Sequence, residues 1–264
     1  MWRAAGLSID QGLQLRDRWQ EGGIYIELNS WVVVYPQFIN PSTSLLLEPA
    51  FRRALLLAID RQEMVNTLMG GLVPIAHSPL NPESADYKAT EPSMTRYDYD
   101  PARAYRLFEE LGFRRKAGGP LRDARGQVPT FDVWGTANRD LHVTGLFPIV
   151  DYWQQVGLNA QPVVIPAQRA TNLEEQATFP GFLFLRQDYG QVRLLSFHSS
   201  EARLPERSFT GRNNGRYVNS EMDGLIDRYL TTIPWGERMQ VAGQIIGHLT
   251  RELPVLPLFY HMDI

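Results

Sequence analysis

Residues 130–185 read TFDVWGTANRDLHVTGLFPIVDYWQQVGLNAQPVVIPAQRATNLEEQATFPGFLFL, and this stretch decides the fold class. Thr130 to Trp134 alternates, with Phe131 and Val133 on one side, as a half-buried strand does. Leu146, Ile149, Val150, Trp153 and Val156 then recur at helical spacing, with Pro148 marking either the start of that helix or a kink. Gln161 to Ile165 is a second strand, Gln168 to Ala177 a short helix, and the unbroken run Gly181 to Leu185 a third, fully apolar strand. Strands separated by helices predict an α/β fold: a mostly parallel sheet with helices on its faces.

Working outward, the preceding helix has the clearest punctuation. Asp100 caps it, Pro101 suits its first turn and Gly112 ends it, while Ala104, Leu107, Phe108 and Leu111 share one face. Gly118-Gly119-Pro120 opens a turn-rich connection to the first strand. Further back, FRRALLLAIDRQEMVNTLMGG at 51–71 reads as one amphipathic helix on Phe51, Ala54, Leu55, Ala58, Val65, Leu68 and Met69, stopped by Gly70-Gly71. The charged pair Asp60-Arg61 sits in its middle, and a Pro- and Ser-rich loop follows from Val73 to Thr95. Beyond the third strand, Ser220 and Asp223 suggest a capping box for a helix carrying Met222, Leu225, Ile226 and Tyr229. A last helix runs from Trp235 to Glu252, and Val255 to Tyr260 is extended.

The chain's 264 residues, 44% of them hydrophobic, suffice for a large core. A net charge of −3 carries no nucleic-acid footprint. With no cysteine there is no disulfide, thiolate metal site or cysteine nucleophile. Both ends fall within apparent structure, which predicts an excised part of something longer.

The motifs meet a known family. Tyr35-x-x-Phe38-Ile39-Asn40, then Glu48-Pro49-Ala50-Phe51-Arg52-Arg53-Ala54-Leu55 and Ala58-Ile59-Asp60-Arg61, resemble the middle of the family 5 solute-binding proteins of ABC importers, the branch that binds peptides, nickel and related solutes. The similarity recurs at YDYDP 97–101 with LGF 111–113, at WQQVGL 153–158, at FTGRNNGRYVNSEMD 209–223 and at LPVLPL 253–258. The resemblance implies one lobe of a type II (cluster C) periplasmic-binding-protein-like fold and a receptor rather than an enzyme. It implies a small solute, most simply a peptide, held between two lobes and passed to ABC permease subunits, with no cofactor and no nucleic acid. It places the parent protein in the periplasm or another extracytoplasmic space, membrane-associated if lipid-anchored. Residues 1–38 then match a remnant of the first lobe and an outgoing crossing, with a helix-bearing tail at Gly6 to Gln20 and the crossing at Ile24 to Phe38. Residues 39–254 match the second lobe and 255–264 the return crossing, so the missing first lobe of the same chain is itself a partner. A ligand-sensing domain of a transcriptional regulator on the same fold is the alternative. In either case the Asp60-Arg61 turn belongs to a scaffold, making capping or inter-element contacts.

Open α/β sheets bind ligands beyond the carboxyl ends of their strands. Three places qualify: Trp134 and the loop 135–140 with Asn138, the segment Arg186-Gln187-Asp188-Tyr189 just after the third strand, and the crossing near Tyr35. By resemblance, Asp188 is the aspartate that pairs with a peptide's α-ammonium group, a charge-assisted bond strengthened in a closed cleft. The neighbourhood departs from the family pattern. Pro180-Gly181 replaces an aspartate at the strand start, Leu185-Arg186-Gln187 leaves out a tryptophan, and Gly190-Gln191 stands where Asp-Pro is usual. Arg186 either neutralises Asp188 or recruits an anionic group of the solute. Arg193, Arg203 and Arg207 read as a solvated basic loop, and GRNNGR at 211–216 as a turn. The five histidines show no metal-ligand spacing and read as surface or satisfied core residues, and no nucleophile elbow supports a triad of Ser196, His198 and Asp188.

Overall fold

The run Trp31–Tyr35 lies at most 1% exposed and belongs to an interior strand of a five-stranded sheet. The computed structural model describes residues 9–19, 27–116 and 118–263. Gly6, Gln20 and Ile24, which bound the expected N-terminal tail and outgoing crossing, lie outside the described residues. In chain order come α1 (Ile9–Arg18), β1 (Glu27–Pro36), α2 (Pro49–Leu57), α3 (Arg61–Met69), α4 (Ala85–Thr90) and α5 (Pro101–Glu110). A two-residue hairpin, β2 (Arg114–Arg115) and β3 (Leu121–Arg122), precedes β4 (Thr130–Thr136), α6 (Asp140–Thr144), α7 (Leu146–Gln155), β5 (Asn159–Ile165), α8 (Leu173–Ala177) and β6 (Phe182–Asp188). Then follow α9 (Gln191–Leu195), α10 (Ser220–Thr231), α11 (Trp235–Glu252) and β7 (Leu256–Asp263).

The main sheet has the order β5-β4-β6-β1-β7. Strand β4 pairs in parallel with β5 and β6, whereas β1 pairs antiparallel with both β6 and β7. The strand–helix–strand reading thus describes the β4, β5 and β6 region, and the sheet as a whole is mixed. One face buries Val32, Val34, Phe131, Val133, Phe182 and Phe184 against Phe51, Phe108, Ile149 and Trp153 of α2, α5 and α7. The other buries Trp31, Val33, Tyr35 and Leu183 against Ile226, Ile245 and Ile246 of α10 and α11. Two apolar layers on one sheet explain why β1 and β6 are apolar without alternation.

Several boundaries differ from the sequence reading for definable reasons. The helix expected over 51–69 is two, because the chain turns at Ala58–Asp60 and restarts with Asp60 Oδ1 accepting from Glu63 N at 2.9 Å. Gly70 closes α3 in the left-handed region at φ 58°. The loop 73–95 contains α4, capped by Ser84. The helix expected at 168–177 forms only over Leu173–Ala177, where Asn172 supplies the cap. The cap of α10 is Asn219, which accepts from Met222 N at 2.9 Å, while Asp223 instead accepts from Ser199 N at 2.7 Å and ties down that loop. Asp100 and Pro101 start α5 as expected, and α11 spans the expected residues. Arg203 is no solvated loop residue: it is 5% exposed and donates to Phe209 O, Asn214 Oδ1 and Gln176 Oε1. The 211–216 turn is likewise internal, with Asn213, Asn214 and Arg216 buried.

Candidate functional site

The third strand does not end at Leu185. It continues to Asp188 because β1 goes on pairing with it, Trp31 opposite Gln187 and Ser30 opposite Asp188. Arg186 and Asp188 therefore project from strand rather than from loop. With period-two alternation they share a face, and Gln187 and Tyr189 take the other.

On the first face the polar groups converge at one end of the sheet. Arg186, half-buried, donates through Nε to Ser30 Oγ at 2.8 Å, approaches Asn29 Oδ1 at 3.4 Å, and lies 3.5 Å from His261 Nε2 on β7. Its backbone N–H donates to His142 Nε2 at 3.0 Å. The other ring nitrogen, Nδ1, lies 2.8 Å from Thr136 Oγ1, and that hydroxyl donates to Asn138 Oδ1 at 2.6 Å. Asn138 and Asp188 are both exposed. The carboxyl end of β4, the first turn of α6, the end of β6, the start of β1 and the end of β7 thus meet in one hydrogen-bonded patch. Burial, then the charges of Arg139 and Arg186, push His142 down to about 4, so its ring is neutral near neutral pH.

The remaining predicted residues sit elsewhere. Tyr35 is 1% exposed, its hydroxyl donates to Gln187 Oε1 at 2.6 Å, and burial pushes it up to about 12. That is a core position, not a surface one. Tyr189 packs edge-on against Tyr260; its hydroxyl donates to Leu28 O and accepts from Asn81 Nδ2 at 3.1 Å, which makes it a brace between β1 and the 78–84 segment. Trp134 is half-buried on the second face, and its indole Nε1 is buried with no hydrogen-bond partner among the described residues. The structure therefore joins Asn138 to Arg186 at the strand end and sets Tyr35, Trp134 and Tyr189 on the opposite face of the sheet.

Asn29, Ser30, Thr136, His142 and His261 were not singled out by sequence. The signal for Asn29-Ser30 was present: a polar pair directly before the apolar run WVVVY marks where a strand leaves the core. His142, 3% exposed with both ring nitrogens engaged, and His248, 2% exposed with Nε2 2.9 Å from Tyr217 Oη, are satisfied core residues. His198 faces Asp227 at 3.5 Å and Asp223 at 4.0 Å, not Asp188, and Ser196 donates to Arg193 O. Two surface hollows lie away from the patch. One of about 340 Å³ is at the opposite end of the sheet, beside Val128 and Asn159. The other, about 450 Å³, lies between α4 and α11.

A family model described as bacterial extracellular solute-binding proteins, family 5 Middle, matches residues 10–189. A probable ABC transporter-binding protein of Deinococcus radiodurans is 29% identical over 133 residues, covering 50% of this chain and 22% of that protein. Among solved structures, NikZ from Campylobacter jejuni in complex with Ni(L-His) is 19% identical with a TM-score of 0.76, over 95% of this chain and 49% of that one. The oligopeptide-binding protein of Thermus thermophilus, complexed with a pentapeptide, is 21% identical with a TM-score of 0.76, over 97% of this chain and 46% of that one. Likeness at this identity shows the fold, that of periplasmic binding proteins of type II. The chain spans less than a quarter of the curated relative and about half of each solved one.

Proposed function

This chain belongs to the bacterial extracellular solute-binding proteins, family 5, and from that premise we propose that it supplies one wall of a solute site for an ABC importer. The family is one of binding proteins, not of enzymes. On this reading residues 39–254 are the second lobe, while 1–38 and 255–264 carry the chain to and from a first lobe. Its share of the solved relatives, about half, supports that division. The parent protein works outside the cytoplasmic membrane and hands its solute to the permease after hinge closure.

The observation that carries the reading is the strand-end patch. Asp188 exposes a carboxylate two residues beyond Arg186 at the carboxyl end of β6, and Asn138, linked to the Arg186 backbone through Thr136 and His142, exposes an amide beyond the end of β4. A carboxylate there pairs with an ammonium group, and an amide both donates and accepts, so a peptide's amino end is the solute group that suits them. Closure of a second lobe over the patch would exclude water and strengthen both contacts.

Native mass spectrometry of the full-length parent protein, purified without denaturation, tests this. A set of copurifying peptide masses that is lost in Asp188→Ala is the expected result. A single non-peptide mass that survives the substitution would remove both Asp188 and the peptide assignment. The isolated chain should bind only weakly, since half of an enclosing surface contributes half of the contacts; nanomolar affinity by titration calorimetry would contradict the two-lobed site.

A further inference from the structure

We propose that His142 is a positioning residue: a neutral imidazole, protonated on Nδ1, that replaces a missing stretch of strand and sets the gap between the ends of β4 and β6. The geometry starts from the ladder. Strands β4 and β6 pair only at Val133 with Phe182 and at Trp134 with Leu183, yet β6 continues to Asp188 on β1 alone. Past Leu183 the two parallel strands splay. His142 occupies the place between them, taking the Arg186 N–H at 3.0 Å where a neighbouring strand would offer a carbonyl.

The tautomer follows from that bond. A nitrogen that accepts from an amide carries no proton, so Nε2 is bare and Nδ1 holds the hydrogen. Nδ1–H then donates to Thr136 Oγ1 at 2.8 Å, which leaves the Thr136 hydroxyl proton for Asn138 Oδ1 at 2.6 Å. A one-way chain of donors thus runs from the β6 backbone through the ring to the Asn138 side chain.

The local sequence is shaped for the wedge. A Cβ on Gly135 would stand 2.3 Å from the His142 carbonyl oxygen, and one on Gly145 would stand 2.7 Å from Phe184 Cζ. Glycine at both positions lets the α6 backbone rest directly on the strands and bring the ring between them. The position is also the one where topology opens a crevice: from β4 the chain moves to β5 on one side, then returns across β4 to β6 on the other. The importance of the wedge for binding rests on the solute site proposed above, but the wedge itself is tested without any solute.

The test uses the 15N-labelled 264-residue chain. Long-range proton–nitrogen correlation should find His142 as the Nδ1–H tautomer. Amide exchange at Arg186 should be about tenfold faster in His142→Phe, which keeps a ring and loses its nitrogens, and should return to within about threefold of the parent in His142→Gln, whose carbonyl can accept. A ring protonated on Nε2, or Arg186 exchange within about twofold of the parent in His142→Phe, would overturn the proposal. If His142→Phe fails to fold, the tautomer in the unaltered chain decides. Loss of peptide from Asp188→Ala, or its retention, bears on the solute site and leaves this result untouched.

Discussion

Two short pairs, Asp60-Arg61 and Arg186-x-Asp188, look interchangeable in the sequence and differ in everything around them. Arg61 is 3% exposed, and its guanidinium donates to three backbone carbonyls, those of Ala76, Pro257 and Tyr97. Those carbonyls belong to the segment after α3, the start of β7 and the approach to α5. Asp60 meanwhile spends an oxygen on the α3 cap. Burial, opposed by the charge of Asp98, pulls Arg61 down to about 10, still far above neutral pH, so it remains a cation clamped by dipoles. Arg186 is half-buried, and its named partners Ser30, Asn29 and His261 are side chains, while Asp188 points into solvent. Carbonyl partners are fixed by the fold and mark scaffold; side-chain partners beside an exposed charge mark a surface that can rearrange around something else.

Breaking the first pair should give the larger effect. Arg61→Ala strands three carbonyls inside the core, and a buried acceptor without a donor costs about 1–3 kcal/mol. The expected loss is about 3–5 kcal/mol, read as a fall in the urea midpoint at constant slope. Arg61→Lys should recover little, because one ammonium cannot span three carbonyls that a planar fork reaches. A loss below about 1 kcal/mol would show that the carbonyls find other partners.

Acid should produce the next largest change, and it acts on two histidines of the scaffold. Burial, reinforced by Arg61 and Arg96 and opposed by Asp98, pushes His77 down to about 4, and His142 reaches the same value by burial with Arg139 and Arg186. An unfolded histidine holds its proton up to about pH 6.5. Across pH 4 to 6.5 the unfolded chain therefore binds more protons than the folded one, and stability rises with pH through that window. Acidification from pH 7 to 5 should lower stability with a slope approaching about 1.4 kcal/mol per pH unit for each of the two rings. Urea titrations at pH 7, 6 and 5 measure it; a flat profile would mean that the rings are solvated in the folded state, and His77→Gln should halve the slope.

The same contrast explains what could be read from the sequence. Features decided within a few residues were legible: Asp100, Pro101 and Gly112 around α5, the whole of α11, and the order of strand and helix from β4 to β6. The break between α2 and α3 was not, because Ala58, Val65 and Met69 continue an apolar stripe while the chain turns, and the apolar pattern records burial, not direction. The extension of β6 to Asp188 was hidden because it depends on β1, which is distant in sequence. So was the burial of Arg203 and Arg216, which takes carbonyls and amides from Gln37, Ile39, Gln176 and Phe209. Of the site, Asn138, Arg186 and Asp188 were named; Ser30, Thr136 and His142, which hold them, are polar residues whose role appears only once five strand and helix ends meet.

A smaller effect sharpens the comparison at its other member. Asp60→Ala removes one cap bond and should cost about 1 kcal/mol, a third or less of the loss at the neighbouring arginine. A loss equal to that of Arg61→Ala would mean that the two residues act as one ion pair and not as cap and brace.

Asp188→Ala should do least to the fold and most to the solute. The carboxylate is exposed, and no hydrogen bond to its side-chain oxygens is seen among the described residues, so its removal should move the urea midpoint by no more than about 0.5 kcal/mol in either direction. If the proposed solute site holds, the same change in the full-length parent should strip a copurifying peptide. The two readouts together discriminate what neither does alone. Stability unchanged and solute lost makes Asp188 a binding group. Stability lost along with solute would make it a structural partner of the strand end, and the contrast with Asp60-Arg61 would collapse: both pairs would then be scaffold, and the amide of Asn138 would be the exposed group left to meet a ligand.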